Sequence, residues 1–339
     1  MLINSVAMLH HDVFSSPDSY RIQKTLKCTA SFKGVGLHSG QVTSIRILPA
    51  GPNHGVVFER TDLSRPYRIY AHFDSVVATE MATTLGHRDR SEARISTVEH
   101  LLAALFALGV TNALIKVDGP EIPILDGSAG PFVEGILEAG FRLQFFSTPV
   151  LRVLKPIKLY KDGTVCELLP RDRLRVTTSI DFPHPSIGLQ TFALELTPLA
   201  FQQDIGEART FGFQREVDNL RAKSLAMGAS IENVLGFSDK GVLNPGGMRF
   251  HDECARHKLL DAIGDLALCG SWIEGELVSF RSGHSVHLGL LQFLKSCPTH
   301  WTLRPAEPIM APQVSEKGWA RLAQPSISDQ PERSDSMEI

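Results

Sequence analysis

Cysteine is scarce in this 339-residue chain, and its spacing argues against two common kinds of site. The five cysteines are odd in number and contain no C-x-x-C pair. Neither a disulfide framework nor a cysteine-based zinc site is therefore expected. Reduced thiols in this number favour a cytoplasmic location.

Long apolar runs and a strong charge of either sign are also absent. No run approaches the roughly 20 apolar residues that cross a bilayer, and the N-terminus has neither a basic n-region nor a small-residue cleavage site. Lysine and arginine number 34 and aspartate and glutamate 37, a net charge of −3. That balance argues against a basic nucleic-acid surface and against an acidic disordered chain. We expect a cytoplasmic protein with no transmembrane segment and no nucleic-acid partner.

The length and the order of predicted elements favour two α+β domains. A chain of 339 residues can bury two separate cores. Strand-like alternation begins at Gln23, and strands, turns and helices recur in the same order in the second half, which predicts an architectural duplication. The expected segments are a flexible extension, domain I, domain II and a polar disordered tail: 1–20, 21–147, 148–303 and 304–339.

An amphipathic helix is predicted where the chain reads R-H-K-L-L-D-A-I-G-D-L-A-L-C-G, residues 256–270. Leucines and isoleucine gather on one face, and Gly270 suits the helix end. The opposite stripe carries His257, Asp261 and Asp265. Since side chains at i and i+4 share a face, His257 and Asp261 could hold one ion. A solvated polar face is the simpler explanation of the same stripe.

A second helix is predicted within I-S-T-V-E-H-L-L-A-A-L-F-A-L-G, residues 95–109. Ser96 and Glu99 match the capping box S-x-x-E, which predicts a helix start at Ser96 and gives Glu99 a structural explanation. His100 lies in the first turn, and core packing is the usual explanation for a single histidine. Gly109 is expected to close the helix.

Three further segments have structural explanations of their own. Asp126 is expected to cap the helix that follows it and ends at Gly140. Residues 216–226 are predicted to be helical, and 286–294 to form a last helix or strand. Three glycines in G-V-G-L-H-S-G predict a turn that carries His38.

Together these side chains make a metal site chemically reasonable. A catalytic zinc takes three protein ligands and leaves one position open. His100, His257 and Asp261 supply two nitrogens and an oxygen, which suits Zn²⁺ and equally Fe²⁺. Glu99 could then act as general base and His284, in the turn S-G-H, as general acid. Their distance in the sequence leaves open whether they meet.

Several long stretches resemble one family, the zinc-dependent UDP-3-O-acyl-N-acetylglucosamine deacetylases of lipid A biosynthesis. The similarity is collinear from about Gln23 to Lys295, about four-fifths of the chain. The stretches that carry it are G-V-G-L-H-S-G (34–40), S-T-V-E-H-L-L-A-A-L (96–105), E-I-P-I-L-D-G-S-A-G-P-F-V (121–133), E-A-R-T-F-G-F (207–213), R-H-K-L-L-D-A-I-G-D-L (256–266) and S-G-H (282–284).

The resemblance implies a fold and a reaction. The implied fold has two similar α+β domains with helices sandwiched between two sheets and the metal at the domain junction. The implied reaction is zinc-dependent hydrolysis of the N-acetyl group of UDP-3-O-(3-hydroxyacyl)-N-acetylglucosamine, which gives the free 2-amine and acetate in the committed step of lipid A biosynthesis. A small-molecule UDP-sugar lipid would be the substrate, and we expect a monomer.

Carried over position by position, the resemblance implies a role for each site residue. His100, His257 and Asp261 would bind the zinc, Glu99 would be the general base and His284 the general acid. The supporting residues would be Thr210 for the oxyanion, Lys258 for the substrate, Asp265 for His284, and Phe211 for the sugar and acyl site.

The resemblance also implies an insert in domain II, at about 214–235, that forms an apolar tunnel for the acyl chain. The expected lining residues are Val217, Ala226, Ala229 and Val234, although core packing explains them as well. Ala82 departs from the family, because many members have a cysteine there. Any role of that thiol near the metal is absent in this chain.

Two other functions stay open. One is a zinc amidohydrolase acting on another acylated amino sugar, which turnover of simple N-acetyl sugars would reveal. The other is a catalytically silent homologue that binds a nucleotide-sugar lipid. The retention of a base, an acid and three ligands argues against the silent homologue. Acetate release from the acylated nucleotide sugar would distinguish an enzyme from such a homologue.

Overall fold

Two five-stranded sheets with the same strand order frame the fold in the computed structural model, which describes residues 20–161 and 163–309. In each sheet the last strand in the sequence lies at the centre, antiparallel to one neighbour and parallel to the other. This repeated order confirms the predicted α+β duplication. The predicted extension, apart from residue 20, and the predicted tail beyond residue 309 lie outside the described residues.

The strands of the first half precede residue 148. They are β1 (Ile22–Leu26), β2 (Ala30–Val35), β3 (Val42–Pro49), β4 (Val56–Arg60), β5 (Tyr67–Tyr70), β6 (Val76–Ala78), β7 (Thr84–His87), β8 (Arg90–Ile95), β9 (Ala113–Val117) and β10 (Phe141–Ser147). Their main sheet has the order β2-β3-β9-β4-β5, and β6-β7-β8 form a smaller one.

The strands of the second half follow the same plan. They are β11 (Val150–Val153), β12 (Ile157–Lys161), β13 (Thr164–Leu169), β14 (Arg175–Phe182), β15 (Gly188–Glu195), β16 (Phe211–Phe213), β17 (Leu235–Ser238), β18 (Gly241–Val242), β19 (Trp272–Glu274), β20 (Glu276–Phe280) and β21 (Trp301–Arg304). The main sheet has the order β12-β13-β20-β14-β15. Because the two equivalent sheets lie on either side of residues 147–148, we propose this point as the domain boundary.

Alternation along the strands turns one face of each main sheet toward the core. In β3, Thr43, Ile45 and Ile47 are buried while their neighbours are at least partly exposed. In β14, Val176, Thr178 and Ile180 follow the same rule. A period of two places all such side chains on one face, which the helices cover.

The described residues form six α-helices. They are α1 (Glu99–Ala107), α2 (Gly130–Ala139), α3 (Pro198–Ala200), α4 (Val217–Ala222), α5 (Glu253–Ala267) and α6 (His284–Leu294). Helix α2 packs on β2, α5 on β14 and β15, and α6 on β12 and β13, while α1 and α5 pack against each other. The predicted sandwich of helices between sheets is confirmed.

Small residues bring α1 and α5 unusually close. Ala103 and Ala104 of α1 are fully buried. A Cβ atom added to Gly264 of α5 would lie 2.1 Å from the backbone oxygen of Glu99. Since real Cβ atoms do not approach an oxygen so closely, the two helices can make this contact only with glycine at position 264.

Several predicted helix limits were wrong. Helix α1 begins at Glu99, its N-cap residue Val98 makes no side-chain cap bond, and Ser96 instead forms a bridge to Glu121. The predicted capping box is therefore not formed, and the carboxylate of Glu99 is available for other contacts. Helix α5 starts at Glu253, three residues before the predicted start, and ends at Ala267, with Gly270 at φ +70°.

The predicted cap by Asp126 was also wrong. Helix α2 has Ala129 at its N-cap with no side-chain cap bond. Asp126 accepts hydrogen bonds from the backbone N–H and the hydroxyl of Ser128 at 3.0 and 2.8 Å, and pairs with Arg249 at 2.8 Å. Its carboxylate orders the loop and ties it to the second half of the chain.

Among the described residues, no helix is long and apolar enough to cross a membrane. All five cysteines have free thiols.

The close helix contact predicts an unusual response to Gly264→Ala. Inside a helix, alanine is normally more favourable than glycine by about 1 kcal/mol. Here the methyl group would push α1 and α5 apart, so we expect a net loss of about 1–3 kcal/mol in the free energy of unfolding, measured by urea denaturation.

The matched control is Gly51→Ala, because nothing lies within 4 Å of a Cβ atom at that position. We expect its free energy of unfolding to stay within about 0.5 kcal/mol of the wild type. Equal stability of both variants would contradict the proposed packing constraint.

Candidate metal centre

The first turn of α1 and one face of α5 bring the three predicted ligand side chains together. Nε2 of His100 lies 3.4 Å from Oδ1 of Asp261, and Nε2 of His257 lies 3.3 Å from the same oxygen. One ligand atom from each residue lies within 4.8 Å of the others. All three side chains are buried, so the stripe on α5 is not a solvated face.

These residues fit a bound metal ion in geometry and in chemistry. Two ligand atoms about 2.0–2.1 Å from a tetrahedral zinc lie about 3.3–3.4 Å apart, as these nitrogen–oxygen pairs do. Oδ1 of Asp261 is buried and receives no hydrogen bond from a described residue, which is costly for a carboxylate without a cation. Nδ1 of His257 donates to the carbonyl of Ala208 at 3.0 Å and so leaves Nε2 free to bind a metal.

Burial and nearby charge keep His257 and Asp261 in the protonation states that bind a metal. Burial lowers the pKa of His257 to about 4, although the carboxylate of Asp261 acts in the opposite direction. The pKa of Asp261 would rise through burial, but the ammonium of Lys258, 2.8 Å from Oδ2, and the neighbouring imidazoles hold it well below its usual range. A neutral imidazole and an ionised carboxylate are the forms that bind metal.

Glu99 lies directly beside the ligand His100 and is oriented by two neighbours. Its Oε2 accepts the backbone N–H of Thr83 at 3.1 Å, and its Oε1 lies 3.6 Å from Nε2 of His284. Burial raises the pKa of Glu99, while the positive charge of His284 partly counteracts that effect. A carboxylate with a raised pKa next to a metal centre can accept a proton from water.

His284 is the first residue of α6, and Asp265 fixes its ring. Nδ1 of His284 donates to Oδ2 of Asp265 at 2.8 Å. Burial alone would lower the pKa of His284, but the carboxylates of Asp265 and Glu99 outweigh it and raise the pKa to about 9. His284 is therefore protonated at neutral pH and can donate a proton.

A cavity of about 450 Å³ adjoins the metal centre at His257 and Lys258. The four residues predicted to line an acyl tunnel all lie on its wall: Val217, Ala226, Ala229 and Val234. Phe211, which was predicted for the sugar and acyl site, lies on the same wall. Thr210 lies on the same wall, and the ring of Phe211 is 6.4 Å from that of His257. The predicted helix 216–226 was too long, because Ser224 and Ala226 have left-handed φ values of +58° and +54°.

A larger cavity, of about 630 Å³, lies near the C-terminal end of α1 between Leu105, Phe106 and Trp272. Neither Glu99, His284 nor any of the three ligands lines it. Its size alone does not make it a catalytic site, since chemistry requires groups that transfer protons or bind metal.

Two residues in this network were missed by the sequence interpretation. The hydroxyl of Thr83 donates to Oδ1 of Asp265 at 2.7 Å, so Thr83 contacts both carboxylates that surround His284. Nδ1 of His287 donates to Oδ2 of Asp265 at 2.8 Å, and its Nε2 meets Ser282 at 2.8 Å. The spacing H-x-x-H within a helix could have indicated His287, whereas nothing in the sequence distinguishes Thr83.

Comparison with known proteins relates most of the chain to one family. Residues 23–296 match a family model described as UDP-3-O-acyl N-acetylglycosamine deacetylase. A UDP-3-O-acyl-N-acetylglucosamine deacetylase of Myxococcus xanthus is 43% identical over 290 residues, covering 86% of this chain and 91% of the relative. Proteins of the same name from Geotalea uraniireducens and Histophilus somni are 41% and 43% identical and cover 84% and 82% of the chain, and 92% of each relative.

The ligand geometry predicts that His257→Ala abolishes metal binding, because it removes one of three ligands. We expect the metal content of the purified protein, measured by mass spectrometry, to fall from about one ion per chain toward zero. Glu99→Gln is the matched control, since Glu99 is buried beside the centre and is not among the ligand atoms. Loss of the metal from both variants would contradict the assignment of ligands.

The Asp265–His284 pair predicts a histidine with a high pKa. In metal-free protein, NMR titration should give His284 a pKa of about 9, and Asp265→Asn should move it back toward its ordinary value of 6.5. A raised pKa means that stabilisation by this charge is complete below pH 6.5 and is lost as the pH rises through about 9.

Asp172→Asn serves as the control, because the Asp172 side chain is 96% exposed and pairs only with Arg152 in the described contacts. Its effect on the His284 titration should be nil. An unchanged His284 pKa in Asp265→Asn would refute the pairing.

Proposed function

The chain belongs to the family of UDP-3-O-acyl-N-acetylglucosamine deacetylases, and we propose that its active site is the centre formed by His100, His257 and Asp261. The protein is a metal-dependent hydrolase of an amide bond in lipid A biosynthesis, and it releases acetate from UDP-3-O-acyl-N-acetylglucosamine. The observation that supports the assignment best is the convergence of these three ligand atoms beside a buried glutamate and a charged histidine.

We assign Zn²⁺ as the metal, because two imidazole nitrogens and one carboxylate oxygen match its ligand preference and its tetrahedral spacing. Fe²⁺ accepts the same ligand set. When bound, such an ion lowers the pKa of water and polarises a carbonyl group.

Glu99 is the proposed general base. Its position next to His100 places a carboxylate beside the metal centre, and burial raises its proton affinity. It takes the proton of the attacking water, while the backbone N–H of Thr83 keeps its other oxygen in place. General-base catalysis of this kind contributes about 10²–10⁴-fold to the rate.

His284 is the proposed general acid. The leaving amine needs a proton, because an amide nitrogen leaves as a neutral amine rather than as an anion. His284 carries that proton at neutral pH, with Asp265 holding its ring from the other side. Glu99 and His284 thus begin the reaction in opposite protonation states, as a base and an acid must.

Three residues on the cavity wall would act on the substrate directly. The Thr210 hydroxyl is proposed to donate to the oxyanion, and the Lys258 ammonium to contact the substrate while it pairs with Asp261. Phe211 would contact the sugar and the start of the acyl chain.

The cavity beside the centre is the proposed site of the 3-O-acyl chain. Apolar side chains of the segment 214–235 form much of its wall, including Val217, Ala226 and Val234. Burying an acyl chain against such a wall yields about 0.8 kcal/mol for each CH₂ group. This gain would make the acylated nucleotide sugar a better substrate than the same sugar without the chain.

A cytoplasmic location is proposed on the basis of the five free cysteines, because an oxidising compartment would favour disulfides. The expected monomer and the absence of a nucleic-acid partner stay predictions.

The direct test is acetate release from long-chain UDP-3-O-acyl-N-acetylglucosamine, with zinc content measured on the same samples. Glu99→Gln should keep its metal and lose about 10²–10⁴-fold in kcat. His257→Ala should lose metal and activity together.

The two other functions give different outcomes. Equal turnover of simple N-acetyl sugars would favour a broader amidohydrolase, and tight binding without acetate release by zinc-loaded wild type would favour a silent homologue. Full activity of Glu99→Gln would remove the proposed base.

A further inference from the structure

We propose that Glu121 is a positioning residue that holds the metal-binding helix α1 and the wall of the acyl cavity in a fixed relation. Glu121 lies in the loop after β9, it is not a metal ligand, and it does not line the cavity. The inference rests on the proposed function in one respect, that the cavity holds the acyl chain.

The Glu121 carboxylate is buried and bonded to two separate segments. Its side chain is about 1% exposed. Oε1 accepts the backbone N–H of His38 at 2.9 Å and the hydroxyl of Thr97 at 2.8 Å, while Oε2 accepts the backbone N–H of Ser39 at 2.7 Å. Three donors on two oxygens compensate a buried charge, so the carboxylate ties the turn 34–40 to the start of α1.

The bond to Thr97 restrains the entry into α1. Thr97 has φ +58°, a left-handed conformation that is costly for a β-branched residue. It lies two residues before Glu99 and three before His100. Since the hydroxyl of Thr97 is bonded to Glu121, the carboxylate stabilises the backbone turn that aims the base and the first ligand.

The bonds to the turn 34–40 reach the cavity. The carbonyls of Leu37 and His38 accept the backbone N–H groups of Gly228 and Met227 at 3.0 and 3.1 Å. Nδ1 of His38 accepts the N–H of Ala226 at 3.3 Å. Leu37, His38 and Ala226 all line the cavity, so a shift of the turn would move its wall.

Two glycines allow close contact between the Glu121 carboxylate, the turn 34–40 and the segment around Gly228. A Cβ atom on Gly36 would lie 2.4 Å from Oε2 of Glu121, and one on Gly228 would lie 2.2 Å from the carbonyl oxygen of Gly36. The carboxylate, the turn and the segment around Gly228 are therefore in direct contact, and displacement of one moves the next.

Glu121→Gln tests the proposal with almost no change in volume. An amide offers one acceptor oxygen and one NH₂ group, so at least one backbone N–H of the turn would face another donor. We expect the turn and the cavity wall to shift while α1 stays folded. A misplacement of this kind typically costs tenfold or more in rate.

The readout is the ratio of kcat/KM for long-chain UDP-3-O-acyl-N-acetylglucosamine to that for UDP-N-acetylglucosamine, which lacks the acyl chain. In Glu121→Gln this ratio should fall about tenfold, with zinc content unchanged. Thr97→Val, which removes only the bond toward α1, should lower kcat for both substrates and keep the ratio within about twofold.

Glu274→Gln is the matched control for a buried carboxylate. Glu274 is about 2% exposed and pairs with Arg152 and Arg304, and none of these residues lines the cavity or belongs to the metal centre. It should lower the melting temperature and leave the substrate ratio unchanged. A purely structural role of Glu121 would give the same result as this control.

The outcomes separate this inference from the proposed function. A high ratio in the wild type that persists in Glu121→Gln overturns the positioning role alone, whereas a wild-type ratio near one overturns both. If Glu121→Gln does not fold, as judged by circular dichroism, Gly36→Ala decides, because its methyl group displaces the same carboxylate. A fall in the ratio supports the proposal, and an unchanged ratio refutes it.

Discussion

The whole site depends on the close approach of α1 to α5 at Gly264. A glycine facing the carbonyl of Glu99 allows backbone contact between helices that come from the two halves of the chain. This contact brings Glu99 and His100 of one helix within reach of His257 and Asp261 of the other. Because packed helices resist sliding, the distances between ligand atoms are set by backbone packing more than by side-chain choice.

The electrostatics of the site follow from burial. Three buried carboxylates face two positively charged side chains, so the described residues carry an excess of negative charge there. The carboxylates are Glu99, Asp261 and Asp265, and the positively charged side chains are Lys258 and His284. Such an excess is costly away from water, and a divalent cation offsets it. The same carboxylates keep His284 protonated. The same arrangement of charges therefore suits both the proposed metal site and the proposed general acid.

The cavity and the metal centre are formed by different kinds of secondary structure. The three proposed ligands lie on two helices, α1 and α5, whereas part of the cavity wall comes from the segment 214–235, whose backbone is irregular between α4 and β17. Irregular backbone holds its shape only through hydrogen bonds to neighbours. Here the turn 34–40 of the first domain supplies several of them, at Ala226, Met227 and Gly228. The proposed substrate site is thus completed by residues from both sides of the proposed domain boundary.

The sequence misled where one local pattern had two explanations. Ser96 and Glu99 match a capping box, yet both residues make tertiary contacts instead. Ser96 forms a β-bridge with Glu121, and the Glu99 carboxylate accepts a hydrogen bond from the backbone N–H of Thr83. Asp126 is a residue type that commonly caps helices. Its carboxylate oxygens instead pair with Arg249 and accept a hydrogen bond from Ser128. Local propensity gives the weaker interaction at Glu99, since a buried carboxylate requires the partners with the best geometry. At Asp126 the charged partner Arg249 outweighs the cap.

The sequence by itself determined the α+β class, the repeated order of elements and the pairing of His257 with Asp261, because strand and helix periods are local properties of the chain. Its long motifs also determined the family. Only the tertiary structure decided that His100 approaches Asp261 and His257, that Asp265 serves both His284 and His287, and that Glu121 joins the turn to α1. Contacts between residues far apart in the chain depend on how whole elements pack, which no local pattern encodes.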